Sequence, residues 1–200
     1  LARARAELIP PARPGDVLLD VGCGGGLMAP HVQGYAHVGV DITASALRVA
    51  AARGIVPVQA DAGALPFSDG VAAVVVAGEV FEHVRDLDPV VAEVARVLRP
   101  GGVLLFDTIN DTAWARVSLV TIGERMPGGP PPRIHDPALF VSPAKLTGLL
   151  ARHGVRTEVR GLRPSVVDYV RFLVARDRSV RMLPSRFLGG LYQGRGIKAS

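Results

Sequence analysis

The sequence holds a single cysteine, Cys23, in 200 residues. That excludes a disulfide framework and a cysteine-based zinc site, and it suits a reducing cytoplasm. Long apolar runs are also missing. The longest spans residues 71–77, far short of the ~20 residues a membrane-spanning helix needs. Nothing near Leu1 has the charged, apolar and cleavage regions of a signal peptide, and a first residue other than methionine leaves room for sequence ahead of it. Lysine is scarce: only Lys145 and Lys198 stand among 23 basic residues. Arginine with so much Ala, Gly, Pro and Val has a bland cause, a GC-rich genome. What is abundant excludes disorder, since 48% of residues are hydrophobic and 20% charged. A chain of this length makes one domain with a sizeable core.

The formal charge of +5 invites a nucleic-acid reading, but its distribution says more. Residues 1–144 carry 11 basic against 15 acidic groups, net −4, and residues 145–200 carry 12 against 3, net +9. An aromatic fraction of 5% offers few stacking platforms for bases.

Up to about residue 110 short apolar runs alternate with helical stretches, the pattern of an α/β fold with a mainly parallel sheet. Residues 17–21 read as a buried strand, 37–41 as the second, and 55–60 as the third, with Pro57 moving it towards an edge. Residues 71–76 form a central strand and 103–107 the fifth. A short helix is expected from about Leu27, and another over 44–53 between Thr43 and the Gly54 stop. A third is expected to be capped by Asp88 with Pro89 at its first position. Later elements are a helix over 112–123, a loop at Pro127-Gly128-Gly129-Pro130-Pro131-Pro132, and a helix from Ser142-Pro143 to Gly154. Strand six follows over 155–159, then a helix over 166–176 after Ser165, and a last strand over 191–198.

The densest local signal is Asp20-Val21-Gly22-Cys23-Gly24-Gly25-Gly26, at a strand end before the expected helix. Glycines there allow positive φ and let a ligand approach backbone, with helix N–H groups beyond. Cys23 reads as a small loop residue. Asp41 ends the second strand, where a carboxylate accepts from both hydroxyls of a ribose. Gly24-x-Gly26-x-x-Ala29 also fits the dinucleotide pattern, so a nicotinamide oxidoreductase is one reading. Asp20 argues against it, because a carboxylate there suits an ammonium-bearing ligand and repels a pyrophosphate. Asp61, after the third strand, could accept from an adenine amino group.

Five motifs stand in order: Asp20-x-Gly22-x-Gly24-x-Gly26, Val38-Gly39-Val40-Asp41, Gln59-Ala60-Asp61, Glu82-His83-Val84 and Leu98-x-Pro100-Gly101-Gly102. Turn-making glycines and aspartates would explain any one of them, not the ordered set. Over residues 15–110 the set resembles class I S-adenosylmethionine-dependent methyltransferases. The resemblance implies a Rossmann-like fold: a seven-stranded, mostly parallel sheet, helices on both faces, and a lid insertion after strand five, over about 108–140. It implies a single domain, with a cofactor-binding half over 15–110 and C-terminal helix and strands over 142–200. It also implies S-adenosylmethionine held by Asp20, Gly22, Gly24, Gly26, Asp41, Ile42, Asp61, Ala62 and Gly78.

The sulfonium donor is already activated, so such an enzyme must align it with a nucleophile and exclude water. A phenol acceptor, with pKa ~10, must also lose a proton. Glu79, Glu82 and His83 could serve. With a helix from about Val80 the carboxylates share a face beside the imidazole. They would suit Mg²⁺, Mn²⁺ or Zn²⁺; without a metal His83 is the best general base, with Glu82 beside it. The competing reading is a histidine that packs beside the cofactor.

A narrower likeness adds Phe106-Asp107-Thr108-Ile109-Asn110, Ile122-Gly123-Glu124-Arg125-Met126-Pro127, Ile134-His135-Asp136 and the Ser142-Pro143-Ala144 helix start. Together with Glu79-x-x-Glu82-His83-Val84 these resemble the ubiquinone-pathway polyprenyl-catechol O-methyltransferases. That implies O-methylation of a phenolic small molecule, a quinone precursor or a secondary-metabolite phenol, and a divalent metal at Glu79, Glu82 and His83. The departures are Asp107-Thr108-Ile109-Asn110 in place of the family's Thr-Leu-Asn, Pro130-Pro131-Pro132, and residues 165–190. Trp114, Arg133, His135 and Phe140 are candidate substrate contacts. N- or C-methylation and a non-catalytic cofactor-binding module are the alternatives. No Asn-Pro-Pro-Tyr-type base-methylation motif is present, which weighs against a specific nucleic-acid partner.

Residues 166–174 are nearly all apolar, with Arg171, Arg176, Arg178 and Arg181 on or after them. They read as a core or homodimer helix, or as an amphipathic surface for anionic lipid. The expected location is the cytoplasm, with or without peripheral membrane contact.

Overall fold

Eight strands build one mixed sheet in the computed structural model, which describes residues 1–126, 134–175 and 180–200. They are β1 (Val17–Val21), β2 (Ala36–Asp41), β3 (Val56–Gln59), β4 (Ala72–Gly78), β5 (Leu98–Ile109), β6 (Val155–Pro164), β7 (Met182–Ser185) and β8 (Leu191–Lys198). Their order is β3-β2-β1-β4-β5-β8-β6-β7. Neighbours among β1 to β5 run parallel, while β8 lies antiparallel between β5 and β6. The expectation of seven strands is therefore one short. The extra strand, β7, pairs with residues 161–164 of β6 at the sheet edge. Only an edge tolerates Pro184, which has no N–H for a ladder. Pro57 fits the same rule in β3, the opposite edge.

Parallel strands are buried on both faces, which is why β4 reads as unbroken apolar sequence. Helices α3 (Leu87–Val97) and α5 (Pro143–Arg152) cover one face. There Val90, Val91, Val94, Leu146, Leu149 and Leu150 pack on Val75, Leu104 and Phe106. Each such side chain contributes roughly 1.5–3 kcal/mol when fully buried. On the other face, α1 (Ala2–Ala6) sits over Leu18, Val74, Val76 and Leu105, and α2 (Ala44–Ala51) packs Leu47 and Ala50 on Ile55.

Helix ends follow local chemistry, with two corrections. Ser142 Oγ accepts from the Lys145 N–H at 3.3 Å, and Gly154 closes α5 in the left-handed region. The cap of α3 is Asp86 rather than Asp88: its Oδ1 accepts from the Asp88 N–H at 3.2 Å. Pro89 is thus the third helical residue, not the first. The helix expected from Leu27 does not form. Turns lead into one 3₁₀ turn, Ala29–His31, because the chain must return to β2 within a few residues that include Pro30 and Gly34.

Beyond β5, Thr112 Oγ1 caps α4 (Ala113–Ala115), which continues as wide π-type turns over Arg116–Ile122. The segment returns to the sheet where the Val141 N–H meets the Ile109 carbonyl, and Phe140, Ala115 and Ile109 bury together. The proline-rich loop at 127–132 and Arg133, Arg176 and Arg178 lie outside the described residues. Helix α6 (Val166–Ala175) is not a core helix, since Asp168 is its one buried residue.

Candidate active site

The parallel strands end on one side of the sheet, and a cleft of about 900 Å³ opens there. Gly22 leaves β1 with φ +67°, and a Cβ on it would stand 2.5 Å from Val80 Cγ2. Only glycine fits that turn. Asp41, at the end of β2, fixes the loop from the other side. Its Oδ2 accepts from the Gly24 N–H at 2.9 Å and its Oδ1 from the Thr43 N–H at 2.8 Å. Each oxygen keeps a further lone pair for a ligand. At the end of β3 the exposed Asp61 accepts from the Gly63 N–H at 2.7 Å.

Six of the nine residues expected to hold the cofactor line this cleft: Gly22, Gly24, Asp41, Ile42, Asp61 and Ala62. The other three stand behind it. Asp20 is buried beneath the loop, its Oδ2 3.5 Å from His37 Nε2. Gly26 packs on Ala50 and Ile55, and Gly78 packs under Arg5, whose guanidinium carbon stands 2.0 Å from where a Cβ would be.

Arg5 is the residue that sequence reasoning missed. It reaches from α1 across Gly78 and forks onto Asp107, with Nη2 3.0 Å from Asp107 Oδ2 and Nε on Oδ1. Nη2 also lies 3.4 Å from Glu79 Oε2. Arg5 and Asp107 are both buried, so the pair neutralises charge that burial would otherwise penalise. An Arg-Ala alternation at the chain start gives no sign of this, because its partner is 102 residues away.

Glu79, Glu82 and His83 follow β4. Glu79 has φ +57°, the one non-glycine positive φ among the described residues, a conformation costing about 1–3 kcal/mol. Its N–H donates to the Asp107 carbonyl at 2.9 Å. Partial desolvation, then the Asp107 charge, raise its carboxyl above the usual range. Glu82 turns inward. It is 1% exposed and makes a 2.6 Å hydrogen bond with Thr108 Oγ1. Desolvation pushes its carboxyl up to about 8, so near neutral pH it is mostly protonated. His83 lines the cleft and stacks on His135, with ring centroids 5.9 Å apart and planes at 17°. Desolvation, then His135, hold it below the ordinary histidine value, which keeps it a neutral imidazole.

The expected metal set is therefore not assembled. Glu82 faces Thr108, Glu79 faces Arg5, and among the described residues no three His, Cys, Asp or Glu side chains group as metal ligands. These donors do not fit a divalent ion. Of the expected substrate contacts, His135 lies on His83, with Nδ1 3.2 Å from Glu124 Oε1, and Phe140 packs edge-on to His135. Trp114 is 59% exposed, stands against Phe187 and does not line the cleft. Arg133 lies outside the described residues.

The family model described as a methyltransferase domain matches residues 19–106. The ubiquinone biosynthesis O-methyltransferase of Ralstonia nicotianae is 32% identical over 184 residues, 84% of this chain and 75% of that protein. The chain belongs to this methyltransferase family. The Thiobacillus denitrificans protein of the same description is 35% identical over 156 residues, 72% of this chain and 66% of that one. The mitochondrial protein of Rattus norvegicus is 34% identical, and the match spans 47% of its length. In fold, the chain is similar to a SAM-dependent methyltransferase of Thermotoga maritima, with TM-score 0.73 at 18% identity, covering 98% of this chain and 87% of that one. The family's methyl donor is S-adenosylmethionine, and the open backbone at Gly22 and Gly24 with carboxylates at Asp41 and Asp61 fits it. Among the described residues no helix is long and apolar enough to cross a membrane.

Proposed function

We propose that this chain O-methylates a phenol or catechol of the quinone-precursor type, with His83 taking the acceptor's proton. The observation that carries this reading is the His83 imidazole on the cleft wall, stacked on the His135 ring, where burial holds its pKa below the ordinary histidine value. When bound, S-adenosylmethionine supplies a methyl group on a sulfonium, an activated leaving group. The chain's residues do the rest. Asp41 binds the ribose hydroxyls, exposed Ile42 offers an apolar wall to the adenine, and Asp61 accepts from its amino group. The loop at Gly22 and Gly24 receives the methionine portion, with Asp20 supplying negative charge beneath it. Arg5 positions Asp107 and Glu79. Glu82, buried and mostly protonated, supports the turn that presents His83 rather than acting as the base.

Named relatives are ubiquinone biosynthesis O-methyltransferases, which supports oxygen as the acceptor atom. Purified protein given S-adenosylmethionine and parallel panels of catechols and amines is expected to yield O-methyl catechols. Methylation of amines or carbon acceptors alone, or donor binding without turnover, would overturn the reading.

A further inference from the structure

Asp20 and His37 face each other beneath the glycine loop. β1 turns Leu18 and Asp20 to the face that α1 covers, since alternate residues of a strand share a face. On β2, Gly39 stands opposite Asp20 and brings no side chain, so the next residue on that face is His37, opposite Leu18. Its Nε2 lies 3.5 Å from Asp20 Oδ2. Asp20 is 3% exposed, and among the described residues neither atom has a hydrogen-bond partner. Buried polar atoms almost always hold a partner, and a proton on the imidazole supplies one here. The other charged or titratable groups around the pair are committed elsewhere. Arg5 of α1 lies within electrostatic reach of Asp20 but gives its hydrogen bonds to Asp107 and Glu79. Burial, then the Asp20 and Asp41 charges, push the Cys23 thiol of the loop up to about 12, so it stays neutral. The Tyr35 hydroxyl donates to the Pro10 carbonyl at 2.8 Å, His31 on the 3₁₀ turn is exposed, and β3 brings no ionisable group. Histidine is the side chain that ordinarily changes charge between about pH 5 and 8, and among the described residues His37 is the one that pairs with Asp20.

Building on the reading of Asp20 as the negative charge beneath the donor's methionine portion, we propose that His37 makes donor binding depend on pH. As an imidazolium it pairs with Asp20 and competes with the donor's ammonium for that charge. As a neutral imidazole it leaves the carboxylate to the donor. Binding then drives a proton from His37 Nε2 to water, and the ammonium replaces it as the counter-charge. Donor and proton are linked through one carboxylate, so each weakens the other by the same factor. Arg5 does not remove the competition, because two buried acids, Asp20 and Asp107, share its single positive charge. His37 lies behind the cleft wall rather than on it, and acts through Asp20 as a positioning residue. Donor affinity therefore falls as the pH is lowered through the range in which histidine gains its proton.

The test is calorimetric titration with S-adenosylmethionine, without acceptor, between about pH 5.5 and pH 7.5, below the range of about 7.7–8.0 where α-amino groups titrate. The parent and His37→Gln should bind within about twofold of each other at the upper pH, while at the lower pH the parent's Kd should exceed the variant's at least about fivefold. Groups that both proteins share, His83 among them, cancel in that ratio. In an Asp20→Asn background the same exchange should leave the ratio flat with pH. The unsubstituted protein gives a separate readout that needs no variant to fold. Titrated near pH 6.5 in buffers of different ionisation enthalpy, it should release roughly 0.3–0.5 of a proton on binding the donor. A parent-to-variant ratio constant across pH, or binding without proton release, would overturn the inference. Absence of donor binding at every pH would overturn the reading of the cleft itself, and this inference with it.

Discussion

Helices α3 and α6 have similar lengths, 11 and 10 residues, and are both rich in valine, yet they meet water in opposite ways. α3 buries Leu87, Val90, Val91, Val94, Ala95 and Val97 and leaves its charges outside. α6 buries one aspartate and exposes its valines. The difference is orientation. In α3 the apolar residues recur at three- and four-residue steps, a stripe set on the sheet. In α6 residues 166, 167, 170, 173 and 174 recur at the same steps but face outward, while the single acid takes the inner position beside Arg181.

The sharpest way to break this contrast is one substitution made in both helices. Val94→Asp puts a carboxylate into the buried stripe and should cost more than about 4 kcal/mol, seen as loss of the cooperative unfolding transition. Val170→Asp on exposed α6 should stay within about 0.5 kcal/mol. Similar losses at both positions would end the comparison.

The two halves also each hold an arginine on a buried aspartate. Arg5→Ala leaves Asp107 without its partner in the interior and should cost about 3–5 kcal/mol in denaturant unfolding, with part recovered by adding Asp107→Asn. Arg181→Ala removes a guanidinium that is already half in water, so its melting shift should be the smaller of the two.

A subtler effect concerns Glu82. Its folded value, about 8, lies above the ordinary one near 4.5. The native state therefore holds a proton that the unfolded chain releases, and stability falls as pH rises from about 4.5 to 8. Glu82→Gln keeps an acceptor for Thr108 and has no proton to lose. Its melting temperature should gain on the parent's as pH increases over that window. A constant difference between the two would show that Glu82 does not titrate there.

The first half of the chain was the legible half. Continuous apolar runs mark β1 and β4, Gly22 and Gly24 mark the turn that leaves β1 at the cleft, and Asp41 ends β2 on the cleft wall, because these features are set by local backbone needs. What was hidden depends on distant or weak signals. β7 contains a proline and no alternation, so only its pairing with β6 reveals it. The expected helix after the glycine loop gave way to a short return that Pro30 and Gly34 impose. The inward turn of Glu82 follows from Thr108 lying 26 residues on, and no motif spacing distinguishes a carboxyl that faces a cleft from one that faces the core.

The central claim is that the cleft at the strand ends binds the donor while His83 takes the acceptor's proton. Its most direct test is His83→Gln, with methyl transfer to a catechol and donor affinity measured on the same protein. A fall of at least about 100-fold in kcat with unchanged donor Kd is the predicted result. A variant that turns over as fast as the parent would contradict it.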